Sequence, residues 1–174
     1  VSDGTTTTST TSVLTVTAVN DAPTISVIAD TTTAEDTATA ALAFTVGDIE
    51  TAAADLTVSA TSSNTTLVPN ASLVLAGAGA NRTLTATPAL HQFGTSTITL
   101  TVSDGTTTTS TTFVLTVTAV NDAPTSSGIA DTTTAEDTAT SALAFTIGDV
   151  ETAVAGLTVS ATSSNTALVP NASL

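Results

Sequence analysis

The sequence predicts an all-β chain of tandem seven-stranded sandwiches, and three observations lead there. Residues 1–73 and 102–174 align at an offset of 101, with 64 of 73 positions identical, and a fixed period near one domain length marks a tandem array. Apolar and polar residues alternate: Ile98, Leu100 and Val102 share one face while Thr97, Thr99 and Thr101 share the other, which is the pattern of a half-buried strand. No stretch carries a helical apolar period with caps, so an α/β scaffold is not expected.

Within one complete period, strands are expected at residues 24–29, 38–46, 56–62, 71–75, 82–87, 95–103 and 108–119. The first follows Pro23. Leu42, Phe44 and Val46 set the inner face of the second, and Leu56, Val58 and Ala60 that of the third. Asn70-Ala71 opens the fourth, and Gly77 to Asn81 supplies the hairpin into the fifth, marked by Leu84 and Ala86. The loop His91-Gln92-Phe93-Gly94 leads to the sixth. Ser103-Asp104-Gly105 then turns the chain into the last, where Leu115, Val117 and Ala119 alternate. Threonine suits the wet face of each strand. Seven short strands in about 100 residues indicate an immunoglobulin-like sandwich. Pro124, in Val120-Asn121-Asp122-Ala123-Pro124, ends the ladder, so almost no linker is expected between domains. At about 3.3 Å per residue the final strand covers roughly 40 Å, which sets an axial spacing of that order.

The repeat phase divides the chain into a closing hairpin of a preceding repeat (1–18), a complete repeat (19–119) and the first part of the next (120–174). Neither end respects a repeat boundary, so these residues read as a window on a longer polypeptide. Of the nine differences between copies, Val46/Ile147, Ile49/Val150, Ala40/Ser141, Ala53/Val154 and Thr66/Ala167 are gentle; Ser12/Phe113, Ile25/Ser126, Val27/Gly128 and Asp55/Gly156 are less so. Near-identical neighbours suit a uniform spacer and also permit strand exchange.

Composition narrows the partners. Hydrophobic residues make up 41% of the chain, enough for a core, but with four Phe and no Trp, Tyr, Met or Cys that core must be light and aliphatic. Lysine is absent, Arg82 is the only basic residue besides His91, and 15 acids give a net charge of -14. Such a chain repels phosphate backbones and anionic lipid, so no nucleic acid and no membrane contact is expected; cations and neighbouring repeats are the natural partners. Without cysteine there are no disulfides, thiolate zinc sites or cysteine nucleophiles. The longest apolar run, near Ala71 to Ala80, is too short to span a bilayer.

The acids are clustered. None lies between Leu56 and Ser103, whereas Asp3, Asp21, Asp30, Glu35, Asp36, Asp48, Glu50 and Asp55 crowd the rest of the period. Ala18-Val19-Asn20-Asp21-Ala22-Pro23 resembles the linker signature of cadherin and bacterial cadherin-like domains. Gly47-Asp48-Ile49-Glu50, ahead of Leu56-Thr57-Val58, is similar to their acid-x-acid motif. Val102-Ser103-Asp104-Gly105 resembles their late Asp-Gly hairpin, and Ala34-Glu35-Asp36-Thr37 their early glutamate. In that family these elements meet at the joint of adjacent domains and hold calcium ions that stiffen it. The resemblance therefore implies Asn20, Asp21, Asp48, Glu50 and Asp104 as calcium ligands at a first joint. At a second it implies Glu35, Asp36, Asn121, Asp122, Asp149 and Glu151. The family's mid-domain Asp-Arg-Glu element would fall near Thr85 to His91, where Thr85-Ala86-Thr87-Pro88-Ala89-Leu90-His91 stands instead. With those ligands missing, about one weakly held ion per joint is expected, since calcium wants six to eight oxygens.

The same acids can also serve as turn and cap residues and as solubilising charge. Asp30 and Asp55 fit that role; Glu35 with Asp36 fits either. Asp48 with Glu50 near Asn20 and Asp21 favours a cation, because unpaired carboxylate clusters are costly. Catalytic constellations are absent: there is no G-x-S-x-G elbow, His91 reads as a loop residue, and Gly77-Ala78-Gly79 reads as a hairpin. Asp48 and Glu50 lack the aromatic platforms of a glycosidase cleft. Asn64, Asn70, Asn81 and Asn171 stand in sequons, a frequency that composition alone explains. The expectation is a non-catalytic stalk or spacer in a large bacterial or archaeal cell-surface adhesin, extracellular and stiffened by calcium. The alternative is a subunit of an extracellular filament or matrix formed by identical chains.

Overall fold

Alternating sequence becomes alternating burial in the computed structural model, which describes residues 1–174. In chain order the strands are β1 (Thr24–Ile25), β2 (Thr31–Ala34), β3 (Leu42–Gly47), β4 (Thr57–Ser62), β5 (Leu73–Ala78), β6 (Asn81–Ala86), β7 (Gly94–Ser103) and β8 (Thr108–Thr118). They form two four-stranded sheets, ordered β1-β3-β6-β5 and β2-β8-β7-β4. Every pairing is antiparallel except β2 with β8, where Thr31 lies opposite Leu115 in a parallel ladder. Two such sheets, packed face to face, are an immunoglobulin-like sandwich.

The inner faces carry the core. Phe44 and Val46 of β3, Leu73 of β5, and Leu84 and Ala86 of β6 pack with Ile98, Leu100 and Val102 of β7 and Phe113, Leu115 and Val117 of β8. Leu56, Leu67 and Val68, from connecting segments, close the ends of this cluster. The core is mainly aliphatic, with Phe44 and Phe113 its two aromatic members, and Ser96 is the one buried residue of β7 that is polar; its hydroxyl meets that of Ser62 at 2.8 Å.

Three strand expectations need correction. The strand expected at 24–29 is cut to Thr24–Ile25, because the chain then crosses from one sheet to the other: β1 pairs with β3, and β2, beyond the expected range, pairs with β8. Asp30 pins the crossing by accepting a hydrogen bond from Val114 N at 2.7 Å, a longer reach than the local turn role expected of it. β2 reads Thr-Thr-Thr-Ala, with no apolar period to reveal it. The strand expected from 38 begins at Leu42, because Thr39 turns inward and exchanges hydrogen bonds with Ala86: its N donates to Ala86 O at 2.9 Å and its Oγ1 accepts from Ala86 N at 3.0 Å. The fourth strand starts at Leu73 after a 3₁₀ turn at Asn70–Ser72 and runs to Ala78, three residues further than expected.

All buried residues fall between Pro23 and Val117. In 1–18 the Asp3 turn closes a bridge between Ser2 and Thr7. In 120–174, β9 (Thr125–Ser126) and β10 (Ile147–Gly148) repeat the register of β1 on β3: Thr125 faces Gly148 as Thr24 faces Gly47. Residues 119–124, outside the ladders, separate β8 from β9, a longer connection than the sequence suggested.

Candidate functional site

The acids gather at the two poles of the sandwich, where strands enter and leave. At the first pole Asp104 follows β7 and closes the turn into β8. Its Oδ1 accepts from Thr106 N and Thr107 N, each at 2.6 Å, and its Oδ2 accepts from Asn20 Nδ2 at 2.9 Å. These donors, Thr107 N foremost, hold its carboxyl far below the usual carboxylate range although the group stands in solvent. Asp3 repeats the turn with Thr5 and Thr6, and its carboxyl is lowered for the same reason, the Thr6 N–H contributing most. Asp21 N donates to Glu50 Oε2 at 3.1 Å, so the incoming segment is tied to the loop after β3. Asp48 opens that loop: its Oδ1 accepts from Glu50 N at 3.0 Å and Thr51 N at 2.7 Å, while its Oδ2 is buried without a partner.

The second pole repeats the pattern around the outgoing segment. Glu35, 3% exposed, accepts from Val120 N at 2.6 Å through Oε1 and leaves Oε2 buried and unpaired. Asp122 N donates to Glu151 Oε2 at 2.9 Å, and Asp149 Oδ1 accepts from Glu151 N at 3.2 Å and Thr152 N at 2.7 Å. Glu151 Oε1 is buried without a partner. Asn121 Nδ2 donates back to Asp122 O at 2.8 Å, as Asn20 Nδ2 does to Asp21 O at 2.9 Å.

The resemblance implied Asn20, Asp21, Asp48, Glu50 and Asp104 at one joint and Glu35, Asp36, Asn121, Asp122, Asp149 and Glu151 at the other. The structure links these residues in pairs. It does not draw Asp21, Asp48, Glu50 and Asp104 around one point. The group of three side chains whose ligand atoms all lie within 4.8 Å of one another is Asp36, His91 and Asp122. His91 Nδ1 is 2.9 Å from Asp122 Oδ2 and 3.5 Å from Asp36 Oδ2, and Asp36 Oδ1 accepts from His91 N at 2.8 Å. The sequence reading assigned His91 only to a loop. That placement is right, but the loop's 55-residue separation from Asp36 hid the contact.

A concavity of about 730 Å³ is not a substrate cleft in its chemistry. It is an open trough lined by Phe145, Ile147, Leu157 and Val159, the counterparts of Phe44, Val46, Leu56 and Val58, which pack into or against the complete core. No helix is long and apolar enough to cross a membrane.

The sequence model of the bacterial Ig domain family matches residues 20–118. Among solved structures, a chimeric titin Z1Z2 functionalised with a decorin peptide is similar at 15% identity, over 59% of this chain and 100% of that one, with a TM-score of 0.44. Titin domain M7 is similar at 18% identity over 59% of this chain and 100% of that chain, with a TM-score of 0.44. Domains 4 and 5 of the S-layer protein SbsC are similar at 17% identity over 55% of this chain and 53% of that chain, with a TM-score of 0.41. No curated protein sequence matches the chain.

Proposed function

The chain belongs to the bacterial Ig domain family, and from that membership we propose that it is a non-catalytic structural repeat, a stalk or spacer of an extracellular surface protein, whose joints are stiffened by calcium. The observation that carries the cation is the set of orphaned oxygens. Four buried side-chain polar atoms lack a partner; three of them, Glu35 Oε2, Asp48 Oδ2 and Glu151 Oε1, are carboxylate oxygens at the poles. A buried carboxylate oxygen without a donor is costly, and in a chain with one arginine and no lysine the relief must come from outside. Calcium, a hard cation that takes oxygen ligands, fits that donor set. Asp48 and Glu50 would hold it at the first pole, and Glu35, Asp149 and Glu151 at the second. The spacer role is supported by direct ties between each pole and the chain passing through it: Asn20 to Asp104 and Asp21 to Glu50 at the first, Glu35 to Val120 at the second.

Thermal unfolding of the 174-residue chain in millimolar calcium, in magnesium and in excess chelator tests the ion. A rise in Tm specific to calcium is expected, since a ligand bound only by the folded state stabilises it. Equal midpoints in all three would remove calcium from the proposal and leave a spacer whose joints rest on hydrogen bonds alone.

A further inference from the structure

We propose that Asp36, His91 and Asp122 form a binding site for a divalent transition-type metal ion, zinc by chemistry, which clasps the outgoing segment to the pole of the sandwich it leaves. Three different elements supply the ligands. Asp36 lies in the turn after β2, His91 in the loop between β6 and β7, and Asp122 in the connection from β8 to β9. Tetrahedral zinc, with Zn–N and Zn–O bonds near 2.1 Å, holds its ligand atoms about 3.4 Å apart. His91 Nδ1 stands 2.9 Å and 3.5 Å from the two carboxylate oxygens, and all three atoms lie within 4.8 Å of one another, so side-chain rotation can bring them to that spacing.

The surroundings orient the ligands. Asp36 Oδ1 is committed to His91 N, which turns Oδ2 toward the ring, and Asp122 is held by Glu151 through its backbone N–H. Such outer contacts fix first ligands in metal sites. A neutral imidazole has one proton to give at Nδ1, too little to balance the charge of two carboxylates, one of which, Asp36, also takes the His91 N–H. No protein cation is at hand to do so: the guanidinium of Arg82 is bonded to Gly77 O and Ala53 O. A further acid stands at the same pole, because Glu35 neighbours Asp36 and its Oε2 is buried and unpaired. The His91 side chain is 51% exposed, which leaves an entry path and a fourth position for water. Imidazole is the discriminating feature, since nitrogen suits zinc and its neighbours in the transition series, whereas calcium takes oxygen. Bound metal would join residue 122 to the β6–β7 loop and so restrain the bend between successive repeats. Asp36 and Asp122, which the family resemblance assigned to calcium, belong to this site instead, and because His91 takes no part in the calcium reading the two fail separately.

The test is isothermal titration of the full chain with zinc chloride, run beside His91→Asn, Asp122→Asn and a calcium titration. Asn tolerates the left-handed backbone that His91 adopts at φ 55°, so the fold is retained in His91→Asn, which its circular dichroism checks. One zinc per chain is expected, weakened at least tenfold in both variants and progressively as the pH falls, because the ligand is deprotonated imidazole. The calcium-dependent Tm shift should survive in His91→Asn. Should His91→Asn not fold, the Asp122→Asn titration decides, as that residue lies outside the ladders. Zinc binding absent from the full chain, or undiminished in the variants, would overturn the site.

Discussion

Asp104 stands in water, yet Thr107 N, Asn20 Nδ2 and Thr106 N converge on its carboxylate and hold it ionised to unusually low pH. A carboxyl whose folded-state value is depressed contributes stability that is complete above the ordinary aspartate value, about 3.9, and is lost as the pH falls below it toward the folded-state value. Asp104→Asn is therefore expected to be less stable than the parent at neutral pH, with the gap closing in acid; urea midpoints at pH 7 and pH 2.5 check this. Glu35 works differently, because it is buried and its partner is the backbone of the outgoing segment. Glu35→Ala should lower stability by about 1–3 kcal/mol, since the Val120 N–H loses its part-buried acceptor, and Glu35→Gln by less, since the amide oxygen still accepts. Chemical denaturation that finds the two equal would mean the Val120 contact is not what Glu35 contributes. At this scale the acids were legible, because carboxylates without basic partners stand out in a sequence. The partners of Glu35, Asp30 and His91 were not, because each lies more than 30 residues away.

Strands were legible where one face is buried and the other wet. β7 and β8 alternate without a break, and both were expected within a residue of their ends. β2 was missed because it lies at a sheet edge and is nearly all threonine, so pairing with β8, not burial, makes it a strand. The copy differences can now be sorted by place. Val27 is exposed, so Gly128 costs that repeat little packing, whereas Phe113 is 2% exposed where the earlier copy has Ser12. Phe113→Ala should cost about 3–5 kcal/mol, as for other buried aromatics. Glycines divide in the same way. Gly77 has φ +94° and a Cβ there would collide with the backbone of Asn81 and Arg82, while Gly105 has the same φ with open space around it. Gly105→Ala should lose about 1–2 kcal/mol from the backbone alone, and Gly77→Ala more; similar losses would mean the β5–β6 hairpin relaxes freely.

For the whole molecule, the single arginine offers a direct check. Arg82 sits on β6, half-buried, with its guanidinium bonded to two carbonyls. Trypsin should leave the folded chain intact and cut the denatured chain once, giving 1–82 and 83–174; mass spectrometry before and after heating reads the difference. Rapid cleavage of the native chain would mean that the β5–β6 hairpin opens readily. Zinc added at stoichiometric amounts should narrow the range of bend between repeats without changing the sandwich, which small-angle scattering of the full chain can follow.

Composition, periodicity and repetition were enough to determine an all-β, aliphatic, acidic chain of repeated immunoglobulin-like units, because burial of alternate residues is a local rule that the sequence writes directly. The crossing of the first strand between sheets, the parallel ladder of β2, the hydrogen bonds from each pole to the chain passing it and the meeting of Asp36, His91 and Asp122 were decided by tertiary structure alone. Each depends on segments distant in sequence being brought to one end of the sandwich, and no local pattern records where a loop will land once two sheets have closed over a common core.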